Sequence, residues 1–285
     1  MNLEVGCRLG YQCVGPANFM LTIQPYTGRG QKVLQETFQT NPDLYLEATQ
    51  DTFGNRSVRL QPTGGNMLIT YRAFVSTSPP ASAIEPLPWS ASERTSSPFP
   101  AEVLPFLSPS FYCPSHRLTS LTEQLLGDLA SNSSSWNQAK VSKLCDWIYD
   151  NIEYRYGTSD VNTSAHDTLI QRTGVCRDFA HVGITFCRAL GIPARFVAGY
   201  ALALDPPDFH ACFEAYVDGQ WHLFDPTRKA AKEHLIPIAV GYDAANTPFA
   251  QWYGEAQMNY LEVWSHQAPE VVVPLELIPE PEQVA

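Results

Sequence analysis

Thr173-Gly174-Val175-Cys176-Arg177-Asp178-Phe179-Ala180-His181 sets a cysteine between a glycine turn and an apolar helix, and the order of elements around it decides the fold. From Cys176 to Leu190 the spacing predicts a helix, with Phe179, Gly183, Phe186, Cys187 and Leu190 as its buried stripe. Gly191 stands where a C-terminal cap belongs, and Pro193 blocks continuation. Strands are expected next, over residues 194–201, 210–217 and 220–224. Upstream, helices are expected over residues 118–130 and 136–151, where Val141, Leu144, Cys145, Ile148 and Ile152 mark one face. Ser164-Ala165-His166-Asp167 has the polar residues of a further helix start. Helices followed by antiparallel strands make an α+β arrangement.

The chain before this core reads differently. Over residues 1–78 Val5, Cys7, Leu9, Tyr11 and Cys13 alternate with Glu4, Gly6, Arg8, Gly10 and Gln12, the period of a half-buried strand. Phe19, Leu21 and Ile23 repeat it, Phe53-Gly54-Asn55 reads as a turn, and residues 67–76 form another strand. An N-terminal all-β domain is expected, without a catalytic cluster. Residues 79–114 are dense in proline and serine and cannot be helical for long. They read as an extended linker that packs along a surface through Trp89, Phe99, Leu104, Phe106 and Phe111. Residues 115–285 are then the second domain.

Composition narrows the function. The 44% hydrophobic and 16% charged residues are those of a globular protein. A net charge of −11 argues against nucleic acid, which calls for a basic stripe. No apolar run approaches a membrane span, and Met1-Asn2-Leu3-Glu4-Val5 lacks the regions of a signal peptide, so the expectation is a cytoplasmic protein without a membrane partner. The seven cysteines include no CxxC pair, and no His, Cys and carboxylate cluster has ligand spacing, so neither a disulfide framework nor a metal site is expected. Gly64-Gly65 and Gly28-Arg29-Gly30 read as turns rather than phosphate loops, and no cofactor is implied.

The chemistry lies in three residues. A thiol is a poor nucleophile until it ionises, and a helix N-terminus and a nearby imidazolium both favour the thiolate. Cys176 has the first of these, and the same N-terminus offers a backbone N–H to an oxyanion. Val217-Asp218-Gly219-Gln220 reads as a hairpin turn with Asp-Gly at its centre, so Val217 faces Gln220 and Cys212 faces Asp225. His210 and Cys212 share a face by alternation, which brings His210 and Asp225 together as diagonal neighbours. Cys176 is then the nucleophile, His210 the base and Asp225 its orienting carboxylate, for acyl transfer at an amide of a peptide or protein substrate. Taken singly, Cys176 reads as a small core residue, His210 as structural and Asp225 as a turn start; the joint arrangement favours the functional reading. Cys145 and Cys187 are expected in the core, Cys212 beside the site, and His181 and His222 as surface or satisfied histidines.

These residues resemble a known family. Residues 174–181, Ala189-Leu190-Gly191-Ile192-Pro193-Ala194-Arg195 onward to Tyr200, His210-Ala211-Cys212-Phe213-Glu214-Ala215-Tyr216 and Trp221-His222-Leu223-Phe224-Asp225-Pro226-Thr227 are similar, in order, to motifs of the bacterial transglutaminase-like family. Asp51-Thr52-Phe53-Gly54-Asn55 resembles part of that family's N-terminal domain. The resemblance implies a papain-like α+β core with a Cys-His-Asp triad at Cys176, His210 and Asp225. Its members include transglutaminases, peptidases and amidases. Hydrolysis, transfer to an amine acceptor and a catalytically silent binding module therefore stay open, in that order. The family leads one to expect Arg at 242 and Asp at 246, where this chain has Tyr242 and Asn246. Ile170 stands where a papain-type oxyanion glutamine would be, with Gln171 next to it, and Tyr154, Trp147 and His166 are candidates for that donor.

Overall fold

The structure is a computed structural model that describes residues 1–28, 30–77, 99–127 and 137–268. Most of the expected proline-rich linker, with Trp89, lies outside the described residues, as does Trp136 at the expected start of a helix.

The N-terminal half forms two antiparallel sheets. β1 (Asn2–Cys13), β2 (Asn18–Leu21), β3 (Gln31–Asn41), β4 (Glu47–Gln50), β5 (Arg56–Leu60) and β6 (Gly65–Thr77) supply most of their strands. The alternation read at the start of the chain becomes β1, whose Leu3, Val5, Cys7 and Leu9 are wholly buried.

After a 3-10 turn at Ala101–Leu107 come α1 (Ser115–Leu126), α2 (Gln138–Asn151), β7 (Glu153–Tyr154), α3 (Ala165–Gln171), β8 (Thr173–Gly174) and α4 (Cys176–Ala189). Ser164 caps α3 as its sequence predicts, its N–H bonding the Asp167 carboxylate at 2.9 Å. β9 (Ala194–Ala201), β10 (Phe209–Val217), β11 (Gln220–Phe224) and β12 (Leu235–Gly241) complete a sheet of order β11-β10-β9-β12. α4 contacts α1, α2, α3, β9 and β10. Its expected single stripe is an underestimate: every residue from Asp178 to Arg188 is buried, because other elements surround the helix. Gly191, at φ +75°, provides the expected left-handed stop.

The chain then turns back. β13 (Ala250–Tyr253) pairs with β2, and β14 (Ala256–Gln267) pairs with β1. Strands that the sequence reading leaves within 115–285 thus finish both sheets begun by residues 1–77, in the orders β13-β2-β5-β4 and β14-β1-β6-β3. The two halves also share a core, in which Tyr200, Ile236, Ile238 and Ala239 pack with Leu3, Val5, Leu21 and Ile23.

Asn55 fastens the halves together. It is 1% exposed, its amide nitrogen donates to the Val240 carbonyl at 2.7 Å, and its amide oxygen accepts from the Val240 N–H at 2.8 Å. A side chain here takes the place of a neighbouring strand at the edge residue Val240. Asp51 holds the amide in place by accepting from Asn55 Nδ2 at 2.8 Å. Asn55→Ala orphans a buried N–H and a buried C=O, so it should cost about 2–4 kcal/mol. A lower urea midpoint at unchanged m-value would show it; an unchanged midpoint would mean that water replaces the amide.

Among the described residues no helix is long and apolar enough to cross a membrane.

Candidate active site

The position of Cys176, the expected nucleophile, is set by two short parallel strands. β7 pairs with β8, placing Tyr154 opposite Gly174, and the Arg155 N–H donates to the Gly174 carbonyl at 2.9 Å. Gly174 is required by packing, since a Cβ there would lie 2.7 Å from Asp178 Cβ. The Asp178 side chain, wholly buried, turns back to accept from the Val175 N–H at 2.8 Å and also meets the Arg177 guanidinium at 3.0 Å. This carboxylate, three residues into the chain after the cap, closes the first turn of α4. Cys176 is the first residue of that helix and is half-buried.

His210, the expected base, lies on β10. The hairpin has the predicted register, with Val217 opposite Gln220 and Phe213 opposite Phe224, so Asp225 follows next to Cys212 and near His210. His210 Nε2 and Asp225 Oδ2 are 2.9 Å apart. Asp225 is itself well held: Oδ1 accepts from the Thr227 N–H at 2.9 Å and its hydroxyl at 2.6 Å, and Oδ2 accepts from the Ala230 N–H at 2.9 Å. His210 Nδ1 is buried without a hydrogen-bond partner, which leaves it as the nitrogen free to serve a thiol. Both Cys176 and Cys212 interact with this imidazole.

Charge follows from these contacts. Burial works against an imidazolium at His210, but the bond to Asp225 and the contacts with Cys176 and Cys212 outweigh it, and its pKa is raised. Burial likewise opposes the Asp225 charge, and the His210, Thr227 and Ala230 donors overcome it, so its pKa is lowered. A raised histidine pKa stabilises the fold fully below about pH 6.5 and is lost only as pH rises through the folded value. A lowered carboxylate pKa stabilises above about pH 3.9 and is lost as pH falls through the folded value. Between those limits the pair is ionised on both sides.

Cys212 differs from Cys176. It is 1% exposed, and burial pushes its thiol up to about 12 against a smaller lowering by His210, so it stays a thiol. Cys145 and Cys187 lie in the core as expected. Of the two expectations for His181, burial excludes the surface one: it is wholly buried, its Nε2 accepts from the Ala244 N–H at 3.2 Å, its Nδ1 has no hydrogen-bond partner, and its ring stacks on Tyr112 at 4.9 Å. Burial first, then Arg177 and Arg188, hold its pKa well below the usual value, so it is neutral. His222 Nε2 is buried without a partner.

The structure does gather one group of metal-ligand type that the sequence spacing hides: His210, Cys212 and Asp225 offer atoms within 4.8 Å of one another. Those atoms already bind each other and the Thr227 and Ala230 donors, so a cation would have to open the His210–Asp225 bond.

The departure at residue 242 has a structural counterpart. Arg188, buried on α4, donates to the Tyr242 carbonyl at 2.7 Å, to the Ala194 carbonyl at 2.8 Å and to Ser110 Oγ at 2.8 Å. A guanidinium thus reaches this segment from the helix, while the Tyr242 ring packs on Phe53 and Phe106 at 5.3 Å each. The wholly buried Asp243 binds the Tyr112 N–H at 2.7 Å.

Comparison with known proteins matches these features. The family model described as the transglutaminase-like superfamily matches residues 123–226, and the bacterial transglutaminase N-terminal domain matches residues 1–82. A solved structure described as a putative cysteine protease from Cytophaga hutchinsonii is 35% identical, with a TM-score of 0.83, covering 97% of this chain and 94% of its own. The chain belongs to the transglutaminase-like superfamily. Uncharacterized proteins of Mycobacterium leprae and Mycobacterium tuberculosis H37Rv are 36% identical over 109 residues and 33% identical over 121 residues, or 34% and 37% of this chain. The match spans 38% of the length of each of these curated relatives. Within this fold Cys176 opens α4, His210 lies on β10, and Asp225 directly follows β11.

Proposed function

We propose that this transglutaminase-like protein is a thiol enzyme that opens amide bonds of peptides or of protein glutamine side chains through a thioester, with water as the usual acceptor. The observation that carries the reading is the 2.9 Å bond between His210 Nε2 and Asp225 Oδ2, beside a half-buried cysteine at the head of α4. His210 holds Cys176 Sγ as a thiolate–imidazolium ion pair, and the thiolate attacks the carbonyl carbon. The imidazolium, oriented and neutralised by Asp225, then protonates the departing amine as the C–N bond breaks. Water, deprotonated by His210, attacks the thioester, and the thiolate leaves.

An amine in place of that water would form a new amide, which is the γ-glutamyl transfer alternative. The relative matched over nearly its whole length bears a protease description, which favours water. A silent binding module is the least favoured reading, since Cys176, His210 and Asp225 are all present. Seven free cysteines suit a reducing compartment, and we place the protein in the cytoplasm on that ground.

The test is to incubate the protein, beside Cys176→Ala, with mixed glutamine-containing peptides and a small primary amine, and to read the products by mass spectrometry. Cleaved or deamidated peptides absent from the control are expected. Amine adducts absent from the control would shift the assignment to transfer. No product, together with a Cys176 that is alkylated no faster than its six fellow thiols, would end the catalytic reading.

A further inference from the structure

We propose that Lys229 is a specificity-determining residue of this site, a cation that binds a carboxylate of the substrate chain next to the carbonyl under attack. The proposal deepens the acyl-transfer reading above and rests on it.

Placement begins at Asp225. The turn after β11 is drawn around that carboxylate, which accepts from the Thr227 N–H at 2.9 Å and from the Ala230 N–H at 2.9 Å. Within the turn the Arg228 N–H donates to the Asp225 carbonyl at 3.2 Å, and Arg228 takes a left-handed φ of +57°. The Lys229 N–H donates to Thr227 Oγ1 at 3.2 Å. The carboxylate that bonds His210 therefore also fixes the backbone on which Lys229 stands. The exposed side chain then crosses to the other wall of the site, where its ammonium lies 4.5 Å from the centre of the Tyr154 ring. Tyr154 pairs with Gly174, two positions before Cys176. One lysine thus reaches from the turn that holds Asp225 to the strand pair that places Cys176, which puts its charge at the edge of the site.

Charge decides what it does there. A ring face steadies an ammonium without neutralising it, and leaves N–H donors for another acceptor. The neighbouring cations are engaged. Arg177 meets Asp178 at 3.0 Å, Arg228 meets Asp146 at 2.6 Å, and Arg155 pairs with Glu153. Arg172 stands over Trp147 of α2 at 5.1 Å, and His166 lies 3.9 Å from Asp167. Lys229 has no acidic partner among the described residues; its contact is the Tyr154 ring. On a chain of net charge −11 such a cation is a local exception, and it draws in the negative group that the rest of the surface repels. On a peptide that group is a carboxylate, carried by an acidic side chain or by a chain end, and its oxygens accept from an ammonium.

Two pairs of p-nitrophenyl esters carry the test, each differing only in carboxylate against carboxamide. N-acetylaspartylglycine against N-acetylasparaginylglycine presents an acidic side chain; glutaric acid against its monoamide presents a chain-end carboxylate. Sγ takes the acyl group, nitrophenolate leaves with the bonding pair, and release above that of Cys176→Ala is the rate. In at least one pair the wild-type kcat/KM should favour the carboxylate by about fivefold, through KM, the upper end for an exposed ion pair. Lys229→Gln should bring that ratio to about one, Lys229→Arg should keep it, and Lys229→Glu should invert it. The pair that responds tells side chain from chain end. Alkylation of Cys176 by neutral iodoacetamide at close to the wild-type rate reports an intact site in each variant. A preference that survives Lys229→Gln, or no preference in either pair, overturns the proposal and leaves the acyl-transfer reading standing. A wild-type protein that releases no more nitrophenolate than Cys176→Ala overturns both.

Discussion

His210→Ala should reduce turnover of an amide substrate by at least about 10³-fold in kcat/KM. Two losses compound. The thiol loses the group that accepts its proton, and the leaving amine loses the group that protonates it. An amine is too poor a leaving group to depart unprotonated, so the second loss is felt on amides and spared on p-nitrophenyl esters. The pH profile separates the two effects. An unassisted thiol is less than about one per cent ionised at pH 6. Without the imidazolium, alkylation of Cys176 at pH 6 should therefore slow by about 10²-fold and recover towards pH 9. In wild type the raised pKa of His210 keeps the cation present as pH rises, so alkylation should be flat across the same range. A variant whose alkylation matches wild type at pH 6 would show that His210 does not sustain the thiolate.

Phe213→Ala should cost about 3–5 kcal/mol, a large share of the roughly 5–15 kcal/mol that keeps such a chain folded. Phe213 is 0% exposed, stacks on Phe224 at 5.5 Å and fills the space beside Gly183 of α4. A Cβ at Gly183 would fall 2.4 Å from the Phe213 ring, so helix and strand meet with no methyl group to spare. The loss should appear as a lower urea midpoint at constant m-value. Gly183→Ala supplies the matching control. Overpacking should cost about 1–3 kcal/mol in wild type and much less once Phe213 is gone. Additive effects would mean that the two positions do not share their space. Because β10 also carries His210, the same contact sets how the base meets the helix that carries Cys176.

The site was legible where its geometry is local. The Asp-Gly turn fixes the β10–β11 register by counting, and alternation then brings His210 to Asp225. The glycine before Cys176 and the apolar run after it announce α4. What sequence could not give is non-local. Met258, Trp264 and their neighbours in β14 have a weak burial alternation, and their pairing with β1 leaves no mark within either segment. The Tyr154–Gly174 pairing joins strands of only two residues, too short for any period to register. The all-round burial of α4, and with it His181, depends on helices that pack from several sides, which a one-stripe reading cannot foresee. Asn55 was visible as a turn residue, but its bond to Val240, 185 positions away, was not.

The return of the chain to its first strand has a consequence for biosynthesis. Arg8 on β1 meets Glu262 on β14 at 3.0 Å across 254 positions, and β13 closes the flank of β2 in the same way. A ribosome delivers β1 and β2 before their outer neighbours, which follow only after α4 and its sheet have emerged. Until then both strands present unpaired edges, and the loop to be closed is nearly as long as the chain. These sheets therefore cannot be completed one half at a time: β1 and β2 are made well before β13 and β14, the strands that seal them.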